Sequence, residues 1–370
     1  MIHLDRVNVR HVSMKLKRPF QTVNGLVVVR DTLIIEAFDT DGRIGYGECV
    51  AFSDPFYSPE TTTTAWDQLQ NFLLPMLNKK RIEHPSEISS IFSAIQGHPM
   101  AKAGIETAIW DLYAKLQDQS LKETLGGVRD EVESGVVLSL TDDIEKQVEE
   151  YNKKGYKRYK LKVQKGKERD IINQAKEVVG DTPIMFDGNG MYDPEDMLHL
   201  SKLDDLNLFM IEQPFRTDDY YYHHQLKEQI NTPISLDETI KSEHDAFQAM
   251  ELRACDNINV KIGRVGGLQQ ALNIHRFAKV ANMPLWCGGM LETGIGRAHN
   301  VALASLEQFT LPGDLSESSR YWEEDIIKEP FVVKDGLVNV PDGPGIGVTV
   351  NVKLLNQRTI RQFNYKFNKL

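Results

Sequence analysis

From about Ser134 onward the chain repeats one pattern. Short β-rich runs recur at Gly135-Val-Val-Leu138, Tyr159-Lys-Leu-Lys-Val163, Pro183-Ile-Met-Phe-Asp187, Leu208-Phe-Met-Ile-Glu212, Pro233-Ile-Ser-Leu-Asp237, Ile258-Asn-Val-Lys261, Pro284-Leu-Trp-Cys287 and Phe309-Thr-Leu311. Their starts fall about 25 residues apart, the length of one strand–loop–helix–loop unit. The segments between them are amphipathic and have recognisable ends. Asp193-Pro194 offers an N-cap and an N1 proline, Ser242 with Asp245 caps another helix, and Gly155 and Gly180 stand where C-terminal glycines belong. Seven or eight successive βα units of buried strands predict an α/β fold, a (β/α)8-type barrel of modified TIM-like form. An open dinucleotide-binding sheet would need GxGxxG directly after a strand, and Gly294-Ile-Gly296 lacks the third glycine.

The residues before this repeat follow a different pattern. Val7 to Val12, Leu26 to Val29 and Thr32 to Ala37 alternate as strands do, and Asp39-Thr-Asp-Gly42 marks a turn into Gly45-Tyr-Gly-Glu-Cys49. Helical spacing then takes over from about Thr62 to Leu77, Pro85 to Ile95 and Ala101 to Leu116. Beyond Ser316 the βα rhythm stops, Phe331 to Val340 reads as a hairpin, and Pro341 to Gly347 is rich in turns. The expected organisation is an α+β capping domain over 1–125, a barrel over 126–316, and a tail, 317–370, that returns to complete the cap.

Composition narrows the function classes. Acidic residues outnumber basic ones 53 to 43, for a net charge of −10, which argues against a bulk grip on nucleic acid or an anionic membrane. No apolar run approaches the ~20 residues a membrane span needs. Met1-Ile-His-Leu-Asp-Arg6 has no apolar leader core. Cys49, Cys255 and Cys287 are too scattered for a disulfide framework or a zinc site and read as buried small hydrophobes. A cytoplasmic protein acting on a small molecule is expected, without nucleic-acid or membrane partners and as a homo-oligomer.

Barrel enzymes carry their chemistry at the C-terminal ends of the strands. Those ends are Lys162 on the second strand, Asp187 on the third, Glu212 on the fourth, Asp237 with Glu238 on the fifth and Lys261 on the sixth. Three buried carboxylates on adjacent strands repel one another unless a cation lies between them. An all-oxygen donor set favours Mg²⁺, with Mn²⁺ as a substitute. The second and sixth strands of an eight-membered ring are opposed, so Lys162 and Lys261 face each other across the substrate. A lysine that takes a proton near pH 7 needs its pKa brought down by about 3, roughly 4 kcal/mol. Neighbouring positive charge works in that direction, from Lys160, the metal ion or Arg264. Lys160 could equally turn to solvent. These parts suit removal of a proton beside a carboxylate, with the developing charge held by the metal.

Lys160-x-Lys162, Asp187-x-Asn189, Glu212-Gln213-Pro214, Asp237-Glu238 and Lys261 resemble the enolase superfamily, in its muconate-lactonizing-enzyme-like branch. Gly263-Arg-Val-Gly-Gly267, Trp286 to Arg297 and Leu311-Pro-Gly-Asp314 are similar to the group that holds o-succinylbenzoate synthases and N-acylamino acid racemases. Gly188 departs from the alanine common there. The resemblance implies Mg²⁺ on Asp187, Glu212 and Asp237, Lys162 as general base, and Lys261 as enediolate stabiliser or second base. Lys160, Asn189, Glu238 and Arg264 would support them. It also implies that cap segments, Phe20 to Gly25 and Phe52 to Tyr57, shape the substrate pocket; separately, Gly288-Gly289-Met290 at the seventh strand end is placed to bring backbone groups to the substrate. The expected reaction is dehydration of 2-succinyl-6-hydroxy-2,4-cyclohexadiene-1-carboxylate to o-succinylbenzoate, a step in menaquinone synthesis, with N-acylamino acid racemisation as the alternative or second activity. Dipeptide epimerisation is less favoured, because Asp314-Leu-Ser316 replaces the Asp-x-Asp usual there. Muconate cycloisomerisation and a non-catalytic scaffold are disfavoured by the group motifs and by the intact constellation.

Overall fold

A computed structural model describes residues 1–22, 25–138 and 144–368. Its first body is a long antiparallel ribbon, β1 (Leu4–Thr22) against β2 (Gly25–Asp39), extended by β3 (Ile44–Cys49). The β2–β3 turn forms as the sequence signals: the Asp39 carboxylate accepts from the N–H groups of Asp41 (2.9 Å) and Arg43 (2.7 Å) while Gly42 takes φ +85°. One face of β3 is closed by the helix Pro99–Leu116. A Cβ on Gly45 would lie 2.1 Å from the Ala108 carbonyl oxygen, and one on Gly47 2.2 Å from that of Gly104. Glycine at these alternate positions is therefore what lets the helix lie directly on the strand backbone.

The second body is built by β4 (Glu131–Glu133) and then β5 (Val136–Leu138), β6 (Tyr159–Lys162), β7 (Ile184–Asp187), β8 (Ile211–Glu212), β9 (Ile234–Leu236), β10 (Asn257–Val260) and β11 (Leu285–Cys287). The strands β5 to β11 form one parallel sheet in sequence order. The eighth run is not a regular strand. Residues 309–314 bridge Leu285 through Phe309 and Ser134 through Gly313, bonding both open edges and closing the ring. Leu311-Pro312-Gly313 explains the irregularity, because proline removes a ladder donor.

The tail departs from the hairpin expected over Phe331 to Val340. The turn at Asp335-Gly336 forms, but β12 (Leu337–Asn339) pairs with β4, burying Val338 and Val132 at the foot of the barrel. Phe331 and Val333 are buried as core residues instead of forming a strand. The last strand, β13 (Thr359–Lys366), pairs antiparallel with β1.

Buried carboxylates lock the two bodies together. Glu106, on the cap helix Pro99–Leu116, accepts from the N–H groups of Leu268 and Gln269 (2.8 Å each), capping the barrel helix Leu268–Ala281. Glu48, on β3, accepts from the N–H groups of Thr293 (3.1 Å) and Gly296 (3.0 Å), capping the helix Gly294–Ala304. These acids satisfy orphan donors at two barrel helix starts. The Gly294-Ile-Gly296 turn is thus filled by protein carboxylate. No helix among the described residues is long and apolar enough to cross a membrane.

Candidate active site

Register brings the acid residues together. Lys162 pairs with Asp187 and Asp187 with Glu212 across β6, β7 and β8, so three consecutive strand ends present one row of side chains. Asp237 follows directly on β9, and its N–H donates to Gln213 Oε1 at 3.0 Å. Asp187, Glu212 and Asp237 are all buried. The residues after two of these strands, Asn189 (φ +45°) and Gln213 (φ +39°), adopt the left-handed conformation, turning the chain sharply away from the carboxylates.

The acids are not free of cations. Lys160 Nζ lies 2.8 Å from Asp187 Oδ2, 2.6 Å from Glu212 Oε2 and 3.7 Å from Asp314 Oδ2. Lys160 is buried, so the solvent-facing alternative is wrong: strand alternation points it the same way as Lys162, one layer deeper, where only the carboxylates can pair it. Across the ring, Lys261 Nζ donates to Asp237 Oδ2 (2.8 Å) and Arg264 Nη1 to Asp237 Oδ1. Both also donate to Tyr57 Oη at 3.1 Å. As placed, the acidic side chains do not form a closed three-ligand cage among the described residues.

Charge balance decides the protonation trends. Lysine ammonium groups beside Asp187 hold it far below the usual carboxylate range, against the cost of burial. Burial and the like charges of Asp187 and Asp237 push Glu212 up to about 8. Glu238, buried beside Asp237, is pushed up to about 7. The lowering expected of a proton-transferring lysine does not occur at Lys261, and Lys160 is not lowered either. Surrounding carboxylates hold both ammonium groups above their ordinary value, outweighing desolvation and, at Lys261, the Arg264 charge.

The supporting residues form a chain. Lys162 Nζ donates to Asp187 Oδ2 (2.7 Å) and to Asn189 Oδ1, and Asn189 Nδ2 donates to Glu238 Oε1 at 3.0 Å. Lys162 opens into a cleft of about 440 Å³ whose wall includes Lys17, Phe20, Tyr151, Arg320 and Tyr321. Phe20 therefore stands on the cleft, while Val23 and Asn24 of the expected cap loop lie outside the described residues. Phe52 is buried, with the Arg30 guanidinium 4.4 Å over its ring and Tyr57 at its edge, so it supports Tyr57. Met290 lines a small cavity beside Lys261 and Gly288. Gly289 packs on the chain, where a Cβ would sit 3.0 Å from the Asp314 carbonyl oxygen. All three cysteines are buried and free, and burial raises each thiol.

Sequence reasoning missed four contributors. Asn259 Nδ2 donates to Glu212 Oε1 at 3.0 Å, and its position two residues before Lys261 on one strand face was the available signal. Arg158 stands two before Lys160 in the same way, with Nη2 donating to Asp314 Oδ1 at 2.7 Å. Gln213 and Asp314 lie within quoted motifs but gave no spacing that marked their roles. Beneath Lys160 and Arg158 lies the Trp286 ring, 5.5 and 4.8 Å away.

Comparison with known proteins places this geometry. Residues 143–354 match the enolase C-terminal domain-like family, and residues 5–126 match the mandelate racemase / muconate lactonizing enzyme N-terminal domain. The chain is similar to an o-succinylbenzoate synthase of Bacillus subtilis (strain 168), 45% identical over 359 residues that cover 96% of this chain and 97% of that protein. It is similar to an N-succinylamino acid racemase of Thermus thermophilus, 38% identical with 98% of each chain covered. A crystal structure of an enolase-superfamily member from Listeria innocua superposes with a TM-score of 0.95 at 38% identity, covering 100% of both chains. With both domains matched and the strand-end carboxylates and opposed lysines in register, the chain belongs to the enolase superfamily, in the group of o-succinylbenzoate synthases and N-succinylamino acid racemases.

Proposed function

We propose that this protein is a Mg²⁺-dependent lyase that dehydrates 2-succinyl-6-hydroxy-2,4-cyclohexadiene-1-carboxylate to o-succinylbenzoate. The observation that carries the reading is the unequal pair of opposed lysines around an all-oxygen carboxylate set. The Lys162 side chain is 43% exposed and opens into the cleft, whereas that of Lys261 is 8% exposed and pinned by Asp237 and Tyr57. One lysine is placed to move a proton, and the other to stand as a fixed charge.

Asp187, Glu212 and Asp237 suit a hard divalent ion. Glu212 Oε2 and Glu238 Oε2 are buried without an aligned hydrogen bond, and burial together with the like charges of Asp187 and Asp237 pushes Glu212 upward. When bound there, Mg²⁺ supplies positive charge against the substrate carboxylate. Lys162 takes the proton from the carbon bearing that carboxylate, and the electron pair moves onto the carboxylate oxygens. Lys261, still protonated, faces that charge. Collapse of the enediolate expels the ring hydroxyl, to which Lys162 returns the proton, giving water and an aromatic ring.

The close agreement in length and identity with the B. subtilis synthase supports this substrate. Racemisation of N-acylamino acids is the second reading, favoured by the placement of Lys261 opposite Lys162 and by the Thermus racemase. The decisive experiment follows the cyclohexadiene chromophore with enzyme and Mg²⁺, with Lys162→Ala and metal-free controls. Turnover lost in both controls establishes the synthase. Folded, Mg²⁺-loaded protein that leaves the chromophore intact excludes it. Exchange of the α-proton of N-succinylamino acids in D₂O reads the second activity.

A further inference from the structure

Tyr57 is held by two groups that can only donate. The Lys261 ammonium and the Arg264 guanidinium each donate to its oxygen at 3.1 Å, and neither offers an acceptor in return. A phenolic oxygen has two acceptor positions and one O–H. Both acceptor positions are used, so the hydroxyl hydrogen points away from the two cations. Among the described residues no side chain or carbonyl receives it.

The segment that carries Tyr57 is clamped at both ends. Phe52 bridges to Thr61, and Thr61 Oγ1 caps the helix Thr62–Gln68 by accepting from Thr64. Ser53 donates to Asp31 at 3.0 Å, and the Glu60 carboxylate accepts from the N–H groups of Met100 (2.8 Å) and Ala101 (2.7 Å). The Tyr57 ring is fixed between the edge of Phe52 and the Lys261 ammonium, 5.0 Å from its centroid. Burial and the nearby Asp237 charge raise the phenol pKa, so its proton is retained.

We propose that Tyr57 is a catalytic residue whose hydroxyl donates to a substrate carboxylate oxygen on the Lys261 side of the site, holding the negative charge that develops as a proton leaves the adjacent carbon. The inference rests on the function proposed above and names a charge-stabilising donor supplied by the cap. Two cations occupy the acceptor positions of the phenol oxygen and leave its O–H as the one uncommitted hydrogen-bonding position. The ligand class is a carboxylate with an acidic neighbouring C–H, whichever of the two reactions follows.

Tyr57→Phe tests this, because it keeps the ring against Phe52 and removes only the oxygen. Melting of the variant checks its fold. The expected result is a fall of about 10²-fold in kcat for dehydration with little change in KM. Exchange of the N-succinylamino acid α-proton falls comparably from both enantiomers. A tyrosine that acts only by positioning Lys261 would add no further loss once Lys261 is removed, so equal dehydration rates for Lys261→Ala and for the Tyr57→Phe, Lys261→Ala double variant overturn the proposal. Wild-type protein that neither dehydrates nor exchanges removes the underlying function and this inference together.

Discussion

The two rims of the barrel mouth solve the problem of a lysine among carboxylates differently. On the β6 rim, Lys160 is sunk between Asp187 and Glu212, and Lys162 above it contacts Asp187 with nearly half its side chain in the cleft. On the β10 rim, Lys261 is buried, and Asp237 is shared between it and Arg264. The first rim places a buried charge on a deeper residue and leaves its outer lysine, bonded to Asp187 and Asn189, partly exposed to the cleft. The second has a single lysine, and the neighbouring groups hold it still. A buried ammonium paired to a carboxylate, as at Lys261, is strongly held in its charged form. The two opposite strands thus carry one accessible lysine and one buried and pinned, the inequality on which the proposed roles of base and fixed cation rest.

The comparison can be broken most directly at the lysines themselves. Lys162→Ala is expected to lower dehydration by about 10⁴-fold or more, and Lys261→Ala to lower it less, since a general base and a charge stabiliser contribute unequally. Equal losses in chromophore decay would show that the rims are equivalent. Arg264→Ala sharpens the contrast further. Releasing Asp237 from its guanidinium partner frees Lys261 to shift, so exchange from the enantiomer facing Lys261 should change about 10-fold relative to exchange from the other, as read by NMR in D₂O.

The smallest expected effect lies where the cap meets the barrel. Burial pushes the Glu106 carboxyl up to about 7 against the three N–H donors that pull it down. The folded protein therefore keeps this proton where the unfolded chain, near 4.5, has released it. The stabilisation is full below about pH 4.5 and is lost as pH rises through about 7, on the order of 3 kcal/mol. Urea unfolding at pH 5 and pH 8 should show that slope, and Glu106→Gln should make it shallower. An identical slope in wild type and Glu106→Gln would show that Glu106 is ionised in the folded state.

Much of the site was legible because strand geometry places residues by counting. A period near 25 and a shared position at each strand end put Lys162, Asp187, Glu212, Asp237 and Lys261 on one rim without reference to tertiary contacts. The residues one layer below were harder to read. Arg158, Lys160 and Asn259 pair within the barrel, and alternation names their direction but not their partners. The cap contribution was least legible. Nothing local distinguishes Glu48 or Glu106 from a surface acid on β3 or a helix, because the donors they satisfy lie 245 and 162 residues away. The eighth run was read as a strand from its β-branched and aromatic residues, and the proline and glycine following it reduce it to bridges.

The pairing of β13 with β1 sets a schedule for synthesis. Arg6 and Lys366 are partners across one sheet, so a ribosome must deliver the whole barrel before the outer edge of β1 is covered. The strand made first is completed last. A nascent chain therefore presents an open sheet edge, the template most prone to pairing with another chain, throughout translation of the catalytic body.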